Sequence, residues 1–386
     1  MKFRKKNIEW YLAIFALATI IIFWFVGKYG QKEQWDEKIS KYYPDSLYQK
    51  EQLSDEVWKL CGDGKSYFLV KGKGKGFAGY IKLLVLYNSD YRIKDLYVVS
   101  SSETPSYFKK VIRKDFFSNF FRKQDLLKSA KTYRKIDAVS GATKTSEGII
   151  ASVHSASTLL AKSQNMKPPA DLVNENLQFG MKELLVIFLL LLGVIGRLKK
   201  FPHKKYVLWT SLVAGLIFMG FVYGFPITLT RVNSFLLGYW PDWHSELYLY
   251  LLFIGVFVIL LTTGKNIYCH TFCPFGALQE VLGNLGNARN ADLNKRQLWN
   301  WFQRSFAWIA IILALVFRHP SASEYEVFGA AFHFTASHWL FLLLAVVIIA
   351  SLFIRKPWCN FFCPVSPVFS YIQLYRKKIR GLWVKK

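Results

Sequence analysis

Six apolar stretches interrupt an otherwise polar chain. They are Trp10–Val26, Leu184–Gly196, Tyr206–Phe225, Leu247–Thr262, Ser305–Phe317 and Trp339–Ile354. The first carries no charge. The second is short, and lengthens if Leu177–Glu183 continues the same helix. A bilayer core is about 30 Å thick and needs roughly 20 helical residues, whereas several of these runs are nearer 16. Flanking Trp, Tyr, Lys and Arg then serve as interface anchors. Six such stretches with aromatic flanks argue for membrane spans over the core helices of a soluble protein. Between the first two lies a polar segment the size of one domain. Tyr67–Lys71, Tyr80–Tyr87 and Asp95–Ser100 are rich in β-branched and aromatic residues and read as strands, with a turn at Asn88-Ser89-Asp90. Thr145–Lys162 reads as a helix with small and apolar residues on one face. Lys167-Pro168-Pro169 reads as a linker back to the membrane. The expected architecture is an α-helical polytopic membrane protein of six spans with an extracytoplasmic α+β domain. Its parts are an anchor at 1–29, the polar domain at 30–178 and a five-span domain at 179–386.

Composition sharpens this picture in two ways. The 386 residues are 52% hydrophobic and 17% aromatic, and the formal net charge is +26. The positive charge is unevenly placed. Counted from an inside N-terminus, the inside segments hold Lys2, Arg4, Lys5 and Lys6, the run Arg197–Lys205, Arg289–Arg304, and the tail Arg376–Lys386. The two short outside loops hold only Arg231 and Arg318. This asymmetry places both termini inside and the polar domain outside, in a cytoplasmic (inner) membrane. It also accounts for basic charge without a nucleic-acid partner; Lys71, Lys73 and Lys75 read as a solvated face near anionic lipid. No small-x-small cleavage site follows the first span, so an uncleaved anchor is expected.

Four of the five cysteines form two Cys-x-x-x-Cys-Pro motifs, Cys269/Cys273 with Pro274 and Cys359/Cys363 with Pro364. Each closes a unit of span, outside loop and span, so both end on the cytoplasmic side as a parallel repeat. A spacing of four puts both thiols of a pair on one face of a helical turn. The prolines suit the first turn of a following helix, where their missing amide costs nothing. Four thiolates suit a [4Fe–4S] cluster or a tetrahedral zinc. The cluster is favoured, because these ligands end helices that already have a core and carry aromatic flanks. Cys61 reads as a lone buried thiol. His270, His319, His333 and His338 show no ligand spacing and read as interfacial histidines.

The segment Asp137-Ala138-Val139-Ser140-Gly141-Ala142-Thr143 is a tight turn running into a helix. Amides at such a helix start can receive a phosphate, and small residues let a planar ring approach. An ordinary cap at Ser140 or Thr143 explains the pattern as well. The segment resembles the flavinylation motif of the FMN-binding domain in RnfG- and NqrC-type subunits and in NosR-type proteins. Ser102-Glu103-Thr104-Pro105 is similar to that family's Glu-Thr-Pro signature, with Ser106-Tyr107 in place of the usual following glycine. Gly74-Lys75-Gly76-Phe77-Ala78-Gly79-Tyr80 resembles its glycine-rich strand start. The resemblance implies FMN joined to Thr143 by a phosphoester that an ApbE-type flavin transferase installs. Asp137, Ser140, Gly141, Ala142, Glu103 and Thr104 would then surround the flavin. The membrane half resembles the NosR/NapH type, whose paired Cys motifs match Cys269, Cys273, Cys359 and Cys363 as cluster ligands. Full NosR-type chains continue into a ferredoxin domain, whose cysteine runs do not follow here before Lys386.

These expectations combine into transmembrane electron transfer. A cytoplasmic electron donor or membrane quinone would feed the cluster, and FMN outside would pass electrons to an extracytoplasmic redox acceptor. The alternative is a flavin-based membrane redox sensor or a maturation factor for an outside metalloenzyme. On this reading Thr143 and the four cysteines lie on opposite sides of the bilayer, with the bridge between them unidentified.

Overall fold

In the computed structural model of the chain, residues 2–30, 35–62, 64–113, 139, 142–169, 177, 179–198, 202–290, 296–322 and 325–383 are described. A long helix α1 (Lys2–Gly30) leads into the short α2 (Trp35–Tyr42). Five strands follow: β1 (Gln49–Ser54), β2 (Val57–Gly62), β3 (Lys65–Lys75), β4 (Tyr80–Asn88) and β5 (Ile93–Ser101). They form one antiparallel meander in chain order. α3 (Pro105–Ile112) and α4 (Thr143–Ser163) complete this α+β region.

Both faces of the sheet are covered, which explains the continuous apolar run of β4. Ile81, Leu83, Val85 and Tyr87 pack with Ile149, Val153, Ala156 and Leu160 of α4. Leu84 and Leu86 point the other way, into a cluster with Trp35, Ile39 and Tyr43. The alternation of a strand thus feeds two cores. The sequence reading expects three strands; β1 and β2 escape it. β1 is almost wholly exposed and polar, an edge strand whose Lys50 and Glu51 discourage further pairing. Cys61, near the end of β2, is exposed and not buried as expected; it shares its strand face with the buried Val57 and the half-buried Lys59.

Glycines set how closely α4 approaches the sheet. A Cβ at Gly74 would stand 2.1 Å from the Gly148 carbonyl oxygen, and one at Gly72 would stand 2.4 Å from that of Ser152. A Cβ at Gly148 would in turn meet the Gly76 backbone at 2.7 Å. Backbone therefore lies on backbone here. The glycines of β3 are packing residues as much as turn residues.

The helical half comprises α5 (Met181–Ile195), α6 (Lys204–Ala214) running on as a π-helix (Gly215–Val222), α7 (Leu229–Leu236) and α8 (Leu247–Thr263). A second π-helical turn (Tyr268–Phe272) precedes α9 (Pro274–Leu285). α10 (Arg296–Val316), α11 (Phe328–Phe332), α12 (His338–Phe353), α13 (Pro357–Phe361) and α14 (Val365–Trp383) follow. A helix occupies each of the six apolar stretches. By length and composition, two described helices suffice to cross a membrane: the apolar run from Ile8 in α1, and Lys204–Val222. Leu247–Thr263 and His338–Phe353 are apolar but shorter.

Buried carboxylates organise the helix starts. Glu183 accepts from the amides of Gly180 (2.8 Å) and Tyr248 (3.2 Å), so one side chain serves the first turns of α5 and α8. Both Glu326 oxygens accept from the Leu229 amide at 2.9 Å, at the start of α7. Negative charge at a helix N-terminus is stabilising, the more so out of water. The loops 223–246 and 317–337 are drawn inward by these contacts, and Val327, Phe328 and Phe332 enter the central core.

The glycine packing makes a direct prediction. Gly74→Ala forces α4 off the sheet and costs about 1–3 kcal/mol by overpacking. Thermal unfolding of the α+β region should fall accordingly, whereas Gly64→Ala, where nothing lies within 4 Å, should pay only the smaller cost of its positive φ.

Candidate flavin pocket and cysteine centre

Three sequence motifs meet at one carboxylate. Glu103 is 2% exposed. Its Oε1 accepts from the amides of Ala78 (2.8 Å) and Gly79 (3.4 Å), and its Oε2 accepts from the Thr145 hydroxyl at 2.6 Å. The glycine-rich turn, the Glu-Thr-Pro segment and the start of α4 are thereby fixed together. Gly76 is required at this point, since a Cβ there would stand 2.5 Å from Glu103 Oε1. Burial raises the Glu103 carboxyl above its usual range, and the hydrogen bonds from Thr145, Ala78 and Gly79 work in the opposite direction.

Thr143 opens α4 and is exposed. Ala142 precedes it without a side-chain cap. Among the described residues no side chain caps the start of this 21-residue helix, where amides and dipole favour an oxyanion. Lys144 bridges Glu147 (2.8 Å) and Glu246 (3.1 Å). Burial opposes its charge, yet these two carboxylates hold its ammonium above the usual lysine range.

Thr143 borders a cavity of about 580 Å³ between the α+β region and the helical half. That volume lies within the range of small-molecule and cofactor sites. Aromatic walls come from both sides, Phe77 and Tyr107 from one, and Phe221, Tyr223, Tyr248, Phe328 and Phe332 from the other. Arg231, Lys182 and His333 also line it. The two sides are hydrogen-bonded together around its rim. Arg231 Nη1 donates to the Phe77 carbonyl (2.9 Å), and the Ser234 hydroxyl donates to that of Ala78 (2.7 Å). Tyr107 and His333 Nδ1 are 2.8 Å apart, and the Thr104 hydroxyl donates to Ser321 at 3.0 Å. Burial lowers the His333 imidazole below its usual range, and Lys110 lowers it further. An uncapped helix start, aromatic walls and cationic side chains fit a phosphate-bearing planar ring.

The cysteine motifs lie directly beneath this cavity. Cys273 is the N-cap of α9 with Pro274 in its first turn, as the sequence predicts. The first pair is carried by a π-helical turn, and Cys363 follows the short α13. Burial pushes the Cys363 thiol up, and the charges of Cys359, Cys269 and Cys273 push it further, so the four sulfurs share one buried locale. Among the described residues no three His, Cys, Asp or Glu groups stand close enough to hold a single metal ion. A multi-iron cluster separates its thiolates more widely than one tetrahedral ion does, and the donor set fits such a cluster. The buried Trp358 indole N–H beside Cys359 has no partner among the described residues, a donor that cluster sulfur can satisfy. Gln279 joins the two motifs: its Oε1 accepts from the Trp358 amide (2.9 Å), and its Nε2 donates to the Cys359 sulfur (3.3 Å).

The interval between pocket and cysteines is filled with rings. Phe328 and Phe332, both in the pocket wall, lie 5.6 and 6.4 Å from the Phe275 ring, two residues beyond Cys273. Phe275 lies 5.9 Å from Trp358, next to Cys359. Tyr268, next to Cys269, accepts from the Ile227 amide at 2.8 Å, and its hydroxyl lies within hydrogen-bonding reach of the Cys273 thiol. Pro226 and Thr228, on either side of Ile227, line the pocket. These rings and hydrogen bonds join the pocket wall to the cysteine motifs. The loops fold inward between short helices, and Gly220 of the π-helix lets Phe332 and Pro274 close around it.

Of the site residues the sequence suggests, Glu103, Thr104, Ala142 and Thr143 border the cavity. Glu103 and Thr104 spend their polar atoms on protein partners. Asp137, Ser140 and Gly141 lie outside the described residues. Cys269, Cys273, Cys359 and Cys363 share one buried region, with no three of them at the spacing of a single-ion site. Sequence reasoning missed Tyr107, Arg231, Tyr268, Gln279, Phe275, Phe328 and Phe332.

Comparison with known families agrees with this division. A model of the FMN-binding domain matches residues 76–158, and a 4Fe-4S binding domain model matches 247–290 and 335–381. The chain joins an FMN-binding domain to a 4Fe–4S binding domain in the manner of NosR-type proteins. It is similar to the regulatory protein NosR of Pseudomonas aeruginosa, 28% identical over 199 residues, which are 47% of this chain and 28% of NosR. It is also similar to the putative electron transport protein YccM of Escherichia coli, 28% identical over 36% of this chain and 43% of YccM. Protein NirI of Paracoccus denitrificans is 26% identical over 47% of this chain and 29% of NirI. The chain thus spans less than half the length of each of these relatives. No solved structure matches. FMN and an iron–sulfur cluster are the cofactors of these two domains.

Glu103→Ala removes the acceptor of two amides and one hydroxyl in the FMN-binding domain. At about 1–3 kcal/mol for each buried donor left unpaired, a loss of about 3 kcal/mol or more is expected. Thermal unfolding measures it. Glu103→Gln, which keeps one acceptor oxygen, should fall between the mutant and the parent.

Proposed function

We propose that this protein carries electrons across the cytoplasmic membrane, between a [4Fe–4S] centre on Cys269, Cys273, Cys359 and Cys363 and FMN esterified to Thr143. The observation that carries the reading is the short packed interval between the pocket and the cysteines, spanned by Tyr268 on one side and by Phe275, Phe328 and Phe332 on the other. The FMN-binding domain, residues 30–178, lies outside; residues 179–386 supply five spans and α1 the sixth, with both termini inside. Exposed apolar residues in series along single helix faces support this, for example Leu342, Val346, Ile349 and Phe353 on α12.

Bound FMN would supply one- and two-electron redox chemistry, and the iron–sulfur centre one-electron chemistry. The protein's own part is positional. Thr143 offers its hydroxyl to the phosphoester at the open start of α4, where the helix dipole favours the phosphate charge. Phe221, Phe328 and Phe332 exclude water from the ring's surroundings. Tyr268 and Phe275 keep the interval to the cysteines filled with bonded and packed atoms rather than solvent. Electrons enter from a cytoplasmic donor or membrane quinone and leave to an extracytoplasmic redox acceptor, after an ApbE-type transferase has installed the flavin.

A second reading is favoured by the name of one relative, a regulatory protein. In it the same centres report redox state to a partner or assist maturation of an outside metalloenzyme. Turnover separates the two: a carrier reduces an added outside acceptor repeatedly, whereas a sensor is reduced once per molecule.

Two measurements test the proposal. Co-expression with a flavin transferase should raise the intact mass by one FMN moiety, and Thr143→Ala should abolish the increase; an unchanged mass in the parent chain would sink the covalent site. In loaded protein, Tyr268→Phe should slow electron passage between the centres roughly tenfold, about 1.4 kcal/mol of barrier, with flavin and iron contents retained. Stopped-flow absorbance after anaerobic reduction reads the rate, and an unaltered rate would remove Tyr268 from the route.

A further inference from the structure

Arg231 is a buried cation that forms no salt bridge among the described residues, although its charge acts on the Glu103 carboxyl. Its side chain is in the pocket wall and the residue is 5% exposed. The guanidinium lies 3.8 Å over the Phe77 ring, and Nη1 donates to the Phe77 carbonyl. No carboxylate stands within salt-bridge distance of it among the described residues. The other charged groups around the cavity have partners. Glu103 is taken by Thr145 and the 78–79 amides, Glu326 by the Leu229 amide, and Glu147 and Glu246 by Lys144. Lys182 lies over the Tyr223 and Tyr248 rings, and His333 holds Tyr107. A buried charge left with a carbonyl dipole and a ring face carries an unreturned desolvation cost. The structure bears that cost at a cavity, where a ligand can return it.

We propose that Arg231 is the electrostatic partner of the bound flavin ring and sets its reduction potential. This rests on the flavin reading above. One electron passed from the iron–sulfur centre to the ring would add one negative charge in the pocket, which the guanidinium would offset without a proton. A fixed guanidinium in a water-poor cavity stabilises that charge strongly. Arg231 belongs to the helical half, at the start of α7, so the flavin's potential depends on the FMN-binding domain being docked. The ester phosphate would have the amides and dipole at the start of α4 as its partners. The ring is the part of the cofactor that still lacks one.

The test is the flavin midpoint potential of the full-length, FMN-loaded protein, followed by spectroelectrochemistry, with loading checked by intact mass. Arg231→Met should lower the potential by at least about 59 mV, a tenfold shift for a one-electron couple. Arg231→Lys keeps the charge and should retain most of the parent value, and it stays informative if Arg231→Met does not fold. A fully loaded Arg231→Met protein with the parent potential would overturn the proposal. So would an Arg231→Lys shift as large as that expected for Arg231→Met, which marks a packing role. Loss of loading in Arg231→Met with normal loading in Arg231→Lys assigns the charge to the phosphate and also overturns it. Absence of flavin from the parent protein would instead count against the flavin reading itself.

Discussion

One buried carboxylate fixes the geometry on which the rest depends. Glu103 binds the amides of the 78–79 turn and the hydroxyl of Thr145 at the same time. With the turn held, the carbonyls of Phe77 and Ala78 point outward, and these are the atoms that Arg231 and Ser234 engage. With the helix held, Thr143 stands at the mouth of the cavity. Docking of the FMN-binding domain and presentation of the attachment residue therefore share one origin. The burial that raises the Glu103 carboxyl is offset by donors that come from both motifs at once.

The second constraint is depth. A helix rises 1.5 Å per residue, so the 17 residues of α8 extend about 25 Å, short of a hydrocarbon core of about 30 Å. The 21-residue α10 is long enough, but α5 and α12 are as short as α8. Two loops fold inward as α7 and α11, and their backbone is satisfied through Glu326 and through capping by Thr228. On the proposed topology this irregular backbone would lie at membrane depth, which is tolerable only when it is buried in protein and bonded, and these carboxylates and hydroxyls meet that condition. The π-helical Gly215–Val222 serves the same end. Its extra residue per turn and its glycines admit Phe272 against Gly215, and Phe332 and Pro274 against Gly220.

Much of this was legible in the sequence where the signal is local. The six apolar runs became helices, Pro274 took the first turn of α9, and the strand at 80–87 was marked by its apolar run. The ordered glycine, Glu-Thr-Pro and Ser-Gly-Ala-Thr motifs indicated an FMN-binding domain. What escaped was of two kinds. β1 is polar on both faces and carries no alternation to detect. Tyr268, Gln279 and Phe328 act across 41 to 80 residues of sequence, and no spacing rule connects them. Arg231 could have been noticed as one of two Lys or Arg residues in the loops 223–246 and 317–337. Its position explains topology equally well, so the residue alone did not demand a site.

The inward loops also alter what the short spans mean. Short apolar runs with anchors read as ordinary spans under mismatch, and on that reading a flavin outside and cysteines inside stand a membrane apart. The packing instead brings Phe328 from an outer loop against Phe275 from a cysteine motif. On the proposed function, a thin protein layer between two centres would need no third carrier and no moving domain, but it would demand that water be kept out and that the FMN-binding domain stay docked. The rim hydrogen bonds of Tyr107, Thr104 and Lys110 to His333, Ser321 and Thr335 supply the second requirement, and the ring wall supplies the first. Electron passage and domain docking are then one structural problem, and a substitution that loosens the rim acts on both.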